Sequence, residues 1–187
     1  LESFNKDMRI GTFVVVIGCV LLPIVGPKSQ EGQDVAALLE MWQTLIWGAV
    51  LVAGMLISAS LLLMLNVSKL SEPWRVGLLL VARATAFSID LTVSKIIVLD
   101  ISPVTLLTSI VLKLLSGLVI TFALIVQASA VSQTKFAPLN ASGLIIVNGV
   151  TGMIVWQDYN VVQDWVGYAC AFVQLILGNY LLLGDIP

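Results

Sequence analysis

Long apolar runs alternate with short polar connections along the chain. Six runs are long enough to cross a membrane as helices, and they occupy residues 10–26, 41–66, 76–99, 103–131, 137–157 and 163–184. A spanning helix needs about 20 residues at about 1.5 Å each. Gly26 and Pro27 are expected to end the first helix, while Pro73, Pro103 and Pro138 are expected to open the third, fourth and fifth. The pattern predicts an all-α, polytopic membrane protein with six transmembrane helices and no strand.

The composition agrees with a membrane protein. Of the 187 residues, 59% are hydrophobic and 11% are charged, whereas a soluble domain carries about 25% charged residues. The net charge of −2 and the lack of a basic patch give no reason to expect a nucleic-acid partner. The chain has no histidine, no glycine-rich phosphate loop and no paired cysteines, so we expect neither an enzyme nor a cofactor or metal site. Cys19 and Cys170 are interpreted as small buried apolar residues.

Lysine and arginine in the connections indicate an orientation. With the first residues on the inner side, the inner connections hold Lys6, Arg9, Lys69, Arg75 and Lys135, against Lys28 alone outside. This asymmetry satisfies the positive-inside rule and predicts an integral membrane protein with both ends of the chain on the inner side. Its expected partners are the lipid bilayer, other membrane subunits and a small-molecule or ion cargo. The tryptophans near the ends of the runs are interpreted as membrane-interface anchors or partner contacts: Trp42, Trp47, Trp74, Trp156 and Trp165.

Four charged residues interrupt the apolar runs: Arg83, Asp90, Lys95 and Lys113. A charge at membrane depth costs roughly 3 kcal/mol or more, so it persists where it is paired or faces a polar cavity. Asp90 lies nine residues before Leu99 and Lys113 ten residues after Pro103, which places both about 14 Å from the same membrane face. This matching depth predicts a buried Asp90–Lys113 ion pair. Arg83 and Lys95 have no obvious acidic partner, and Asp158 and Asp164 are interpreted as solvating the last connection.

Three neighbouring helices carry stripes of polar residues. At 100° per residue, Arg83 and Asp90 share one face of the third helix, opposite its hydroxyl stripe. The stripes predict a shared cavity whose substrate pathway is lined by Thr85, Ser88, Thr92, Lys95, Ser109, Lys113, Asn140 and Asn148. Two simpler roles remain open. Hydroxyls in membrane helices bond to carbonyls of their own helix, and asparagines hold helices together.

The last two predicted helices and their connection contain three stretches of interest: Phe136 to Gly143, Gly152 to Asp158, and Asp164 to Asp185. These stretches resemble the last two helices of the drug/metabolite transporter superfamily. Within the superfamily, Gly26 to Lys28 and Ala86 to Lys95 are similar to NIPA-type magnesium transporters. The resemblance implies that this chain is the C-terminal part of a ten-helix protein with two inverted five-helix repeats. Residues 1–35 would then be the last helix of the first repeat plus a linker, and residues 36–187 the second repeat.

The function expected from these observations is transport of a small polar or anionic metabolite, with the two repeats rocking to open the pathway to either side. The magnesium branch of the family implies Mg²⁺ as an alternative cargo. Mg²⁺ prefers carboxylates, yet Asp90 is outnumbered within the runs by Arg83, Lys95 and Lys113. A second alternative is a structural subunit of a larger membrane complex that no longer transports.

Overall fold

A computed structural model describes residues 6–27, 35–65, 70–99, 102–131 and 133–183. Its helices are α1 (Lys6–Val25), α2 (Val35–Glu40), α3 (Trp42–Met64), α4 (Glu72–Leu99), α5 (Pro103–Ala130), α6 (Gln133–Val155) and α7 (Trp165–Leu183), with a 3-10 turn at Asp158–Asn160. The described residues form no strand. All but α2 are long and apolar enough to cross a membrane. The predicted class, a helical membrane protein with six spans, is confirmed, while the ten-helix parent stays a prediction.

Helix α4 forms the centre of the packing. Its apolar span is 44% buried, against 22% for α5 and 28% for the other four. It packs against α3, α5 and α6, while α6 also contacts α7. Val76, Leu79 and Ala86 of α4 are completely buried. Because α4 contacts helices on several sides, its polar residues are directed towards protein on more than one face.

Helix α1 lies along α7. The two backbones approach closely, since a Cβ atom added to Gly178 would meet a methyl group of Val15 and the carbonyl oxygen of Gly11. Small residues at such a contact allow van der Waals packing between membrane helices. The segment interpreted as the end of a first repeat is thus packed on the last helix of the chain.

Prolines open two of the three helices for which this was predicted. Pro73 lies in the first turn of α4, and Pro103 begins α5, where the Ser102 hydroxyl accepts a hydrogen bond from the Thr105 N–H at 3.3 Å. The prediction for Pro138 is wrong, because α6 already begins at Gln133. A proline in the second turn removes one backbone hydrogen bond, and a membrane helix tolerates this where its neighbours compensate.

The short helix α2 was not predicted from the sequence. It buries Leu38 and is separated from α3 by Met41, whose backbone is extended. Two residues of the charge asymmetry, Lys28 and Lys69, lie outside the described residues, as do residues 184–187 of the predicted second repeat.

Candidate functional site

A cavity of about 360 Å³ lies beside α4, in the half of the bundle where α3 begins and where α4 and α6 end. It extends from Leu39 of α2 to Leu51 of α3, nine residues into that helix, which is about 14 Å of helical rise. Its walls come from five helices: Leu39, Thr44, Leu45, Trp47, Gly48, Leu51, Val52, Ile89, Thr92, Val93, Ile96, Leu112, Thr151 and Val155. No charged side chain is among these residues, so the cavity is apolar apart from three hydroxyls and one indole.

One threonine hydroxyl joins three helices at the cavity wall. Thr151 of α6 donates to its own helix at the Val147 carbonyl over 2.8 Å and accepts from the indole Nε1 of Trp47 in α3 over 3.0 Å. Ser88 of α4 lies 2.8 Å from the same oxygen. A hydroxyl has one hydrogen to donate, and that of Thr151 goes to Val147, so Ser88 is the donor. Thr151 is therefore fully satisfied and cannot offer a hydrogen bond to a guest without breaking one of these three.

Thr44 differs from Thr151, because its hydroxyl has no hydrogen-bond partner in the described part of the chain. The residue is 7% exposed and lies in the first turn of α3, against the cavity. A buried hydroxyl without a partner costs about 1–3 kcal/mol. Thr92 of α4 also lines the cavity. Of the lining residues, Thr44 is the one whose hydroxyl is buried without a partner among the described residues.

Lys95 lies at the same end of the bundle, outside the cavity lining. Its Nζ is 3.8 Å from the centroid of the Trp156 ring, and Trp156 packs with Ile96 and Val155 of the cavity wall. A cation over an indole ring is attracted by the ring's negative face. Lys95 also attracts the carboxylate of Asp158. Lys95 thus has an acidic neighbour, which the sequence interpretation of Asp158 as a solvated loop residue missed.

The connection between α6 and α7 directs Asp158 back towards α6. Gln157 adopts a left-handed backbone conformation, with φ 53° and ψ 36°, which is uncommon for a residue other than glycine. The Asp158 carboxylate then occupies the space where a Cβ atom of Gly152 would stand. Burial raises the pKa of the Asp158 carboxyl above its ordinary value, and the positive charge of Lys95 opposes that rise.

The opposite face of α4 carries the Asp90–Lys113 ion pair. Lys113 Nζ of α5 lies 3.1 Å from Asp90 Oδ1 and donates to the Ser94 hydroxyl over 2.5 Å. The two helices are therefore joined at the depth derived from the sequence. The predicted ion pair is present, but it is not fully buried, because the Lys113 and Asp90 side chains are 46% and 26% exposed in the chain alone. A lysine on α5 reaches Asp90 from the edge of the contact, so the pair lies at the rim of the α4–α5 interface.

Arg83 lies on the same face of α4 as Asp90, and its partners among the described residues are neutral. Its Nη1 donates to Gln127 Oε1 of α5 over 2.5 Å, and its guanidinium carbon lies 5.7 Å from the centroid of the Phe136 ring. An amide oxygen and an aromatic ring together stabilise a cation in an apolar setting. The missing acidic partner is thus replaced by neutral groups on α5 and α6.

In the described part of the chain, the predicted pathway residues are not brought together in one cavity. The first four face α3 and α6: Thr85 packs near Gly54, Ser88 bonds to Thr151, Thr92 lines the cavity and Lys95 covers Trp156. Lys113 lies on the opposite face of α4, so the expectation that Lys95 and Lys113 share a cavity is wrong. Helical periodicity explains this, because Ser94, which contacts Lys113, is 100° from Lys95 and Asp90 is 140° from it.

The other pathway residues lie apart from the cavity. Ser109 of α5 is buried, and Asn140 of α6 has a buried side-chain oxygen without a hydrogen-bond partner. Asn148 lines a second cavity, of about 330 Å³, with Asp158 and Tyr168 between α1, α6 and α7. Thr85 donates to the Val81 carbonyl over 2.7 Å, which is the simpler role that the sequence analysis left open for hydroxyls.

Of the lining residues, the predicted pathway included Thr92 alone, and the polar residues Thr44 and Trp47 lay on no predicted stripe. Trp47 had been interpreted as an interface anchor, but it is partly buried and bonded to Thr151. Trp47 lies five residues inside α3 rather than at its end, and this position was the one sign that it is not an interface anchor. In the described part of the chain, no three acidic or cysteine side chains converge as metal ligands would.

Comparisons with known proteins gave no relative. No family model, no curated protein and no solved structure matches the chain.

Proposed function

We propose that the chain forms the membrane pathway of a drug/metabolite-type transporter for a small metabolite. The observation that supports this most is the cavity beside α4, which reaches about 14 Å along the spanning helices and is lined by four of them, α3, α4, α5 and α6. Its volume of about 360 Å³ falls in the range of small-molecule sites, about 300–1,000 Å³. Cavities between membrane helices are where transporters bind cargo.

The charges around the cavity favour a metabolite over Mg²⁺. Magnesium binds through carboxylates and several retained waters, and the cavity lining contains no carboxylate among the described residues. The cationic side chains that suggested an anionic cargo are engaged elsewhere: Lys113 pairs with Asp90, and Lys95 has Trp156 and Asp158 as neighbours.

Proteoliposomes test the proposal directly. Vesicles containing the purified protein are loaded with an isotope-labelled mixture of neutral and anionic small metabolites, and efflux is followed by mass spectrometry. A parallel preparation holds a Mg²⁺-sensitive dye. We expect efflux of at least one metabolite. Efflux should be lost in Gly48→Leu, which fills the cavity from a position with open space around its Cβ, and retained in the matched Gly117→Leu on α5.

Each other outcome selects an alternative. Mg²⁺ entry without metabolite efflux would establish the magnesium transporter. If nothing moves and the protein purifies with a fixed set of other membrane subunits, the structural-subunit role replaces transport.

A further inference from the structure

We infer that the cavity beside α4 is a binding site for an uncharged, mostly apolar small molecule with one hydrogen-bonding group, which the Thr44 hydroxyl receives. This inference names the cargo class of the proposed transporter and rests on that proposal for the role of the bound molecule. The binding itself is measured without transport.

The composition of the cavity wall indicates that the bound molecule is uncharged. Among the described residues, the lining contains leucine, isoleucine, valine, tryptophan, glycine and threonine only. Transfer of an isolated ion into such surroundings is opposed by a large desolvation cost. The nearest cation along α4, Lys95, is held over Trp156, and Trp156 packs on wall residues Ile96 and Val155. An anion in the cavity would therefore meet apolar side chains, with no cationic group in the wall.

The polar contact at Thr44 follows from a comparison of the lining hydroxyls, of which that of Thr92 is not among the buried groups without a partner. Thr151 is saturated by Val147, Trp47 and Ser88, as described above, so it holds helices together and does not serve a guest. Thr44 is more than nine-tenths buried, and its hydroxyl has no partner among the described residues. Rotation about the Cα–Cβ bond of Thr44 moves its hydroxyl to another staggered position, and a threonine in a helix adopts two such rotamers, so the hydroxyl can be reoriented to meet a guest. A guest that bonds to it removes the penalty of the unsatisfied group.

The position of Thr44 in its helix strengthens this assignment. It is the third residue of α3, in the first turn, where backbone N–H groups lack partners within the helix. The residue before the helix, Met41, provides no side-chain cap. The end of α3 beside the cavity therefore lacks a side-chain cap, which favours a guest that accepts a hydrogen bond.

Three probes with one ring system separate the parts of the inference: 2-naphthol, naphthalene and 2-naphthoate. Binding to the purified protein in detergent is measured by equilibrium dialysis. Gly48→Leu fills the cavity, so the probe that remains bound to this variant measures partition into the detergent micelles. Gly117→Leu adds the same side chain elsewhere and controls for its general effect on the protein. Circular dichroism and size-exclusion chromatography of each variant confirm that it is folded.

We expect 2-naphthol to bind more tightly than 2-naphthoate, and Gly48→Leu to abolish its binding while Gly117→Leu retains it. Thr44→Val keeps the side-chain volume and removes the hydroxyl. It should weaken 2-naphthol by about 3- to 10-fold, as expected for one hydrogen bond. Thr44→Ser should retain wild-type affinity, and naphthalene should bind equally well or better in Thr44→Val.

Several results would overturn the inference. Tighter binding of 2-naphthoate, sensitive to Gly48→Leu, would make the cavity an anion site. Equal 2-naphthol binding by wild type and Gly48→Leu would place the probe outside the cavity, and unchanged affinity in Thr44→Val would remove the role of Thr44. Phospholipid retained by the wild type and lost from Gly48→Leu in native mass spectrometry would assign the cavity to a lipid chain. If 2-naphthol binds as expected but no metabolite leaves the proteoliposomes, the site stands and the transport proposal fails.

Discussion

The indole of Trp47 donates to the hydroxyl of Thr151 over 3.0 Å, joining residues that are 104 positions apart in the sequence. Ser88 donates to the same oxygen, so one hydroxyl fixes α3, α4 and α6 relative to each other. Since Trp47 and Thr151 both line the cavity, the contact that holds the helices together also sets the shape of the proposed binding site.

Replacing Thr151 by valine should destabilise the protein. Valine preserves the shape but leaves the Trp47 N–H and the Ser88 hydroxyl without an acceptor, at a cost of about 1–3 kcal/mol. The measurement is the midpoint of unfolding in detergent, followed by circular dichroism. Thr121→Val is the matched control, because Thr121 is exposed and bonds only to the Gly117 carbonyl of its own helix. Equal midpoints for the two variants would show that the Thr151 hydroxyl contributes no contact between helices.

The spans were predictable because length and hydropathy are local properties of the chain. The two polar faces of α4 were predictable for a similar reason, since the 100° step per residue fixes which side chains share a face. Arg83 and Asp90 do contact α5, while Ser88 and Lys95 contact α6 and the turn that follows it.

The partners of these residues could not be predicted, because they depend on which helices become neighbours. Arg83 pairs with the neutral Gln127, which no count of charges would identify. Lys95 meets Asp158 through a turn at Gln157 with a positive φ, in a segment where the sequence indicates only a polar connection. The unsatisfied hydroxyl of Thr44 is also invisible in the sequence, since many threonines in membrane helices bond to their own backbone.

Gly152→Ala should displace Asp158 from its place against α6. A Cβ atom at residue 152 would overlap the Asp158 carboxylate, and such overpacking costs about 1–3 kcal/mol. The control is Gly117→Ala, whose Cβ would have nothing within 4 Å and which should be neutral or gain about 0.5–1 kcal/mol from improved helix propensity. The measurement is the melting temperature of each variant and of the wild type in the same detergent. An alanine at 152 as well tolerated as one at 117 would mean that the turn adjusts freely.

The stability of the protein should depend on pH through Asp158. Burial raises the pKa of this carboxyl in the folded protein above its ordinary value of 3.8, against the opposing charge of Lys95. The folded state then holds the proton more strongly than the unfolded chain. The resulting stabilisation is complete below about pH 4 and is lost as pH rises through the folded pKa. Melting curves between pH 4 and 7 should show this decline in the wild type and a smaller one in Asp158→Asn. Parallel profiles for the two proteins would exclude the effect.

The Asp90–Lys113 pair should show strong coupling in a double-mutant cycle. Lys113→Met leaves the Asp90 carboxylate alone at membrane depth, at a cost of roughly 3 kcal/mol. Asp90→Asn should cost less, because the long lysine side chain, already 46% exposed, can extend its ammonium towards the membrane surface. The double variant Asp90→Asn/Lys113→Met removes both charges and should recover much of the loss. We therefore expect a coupling energy within the range for directly interacting residues, about 0.5–3 kcal/mol. Unfolding in lipid nanodiscs measures it, since detergent would hydrate the exposed rim of the pair. If the two single effects simply add, Lys113 and Asp90 are neighbours in space without depending on each other, and a different group must stabilise each charge within the bilayer.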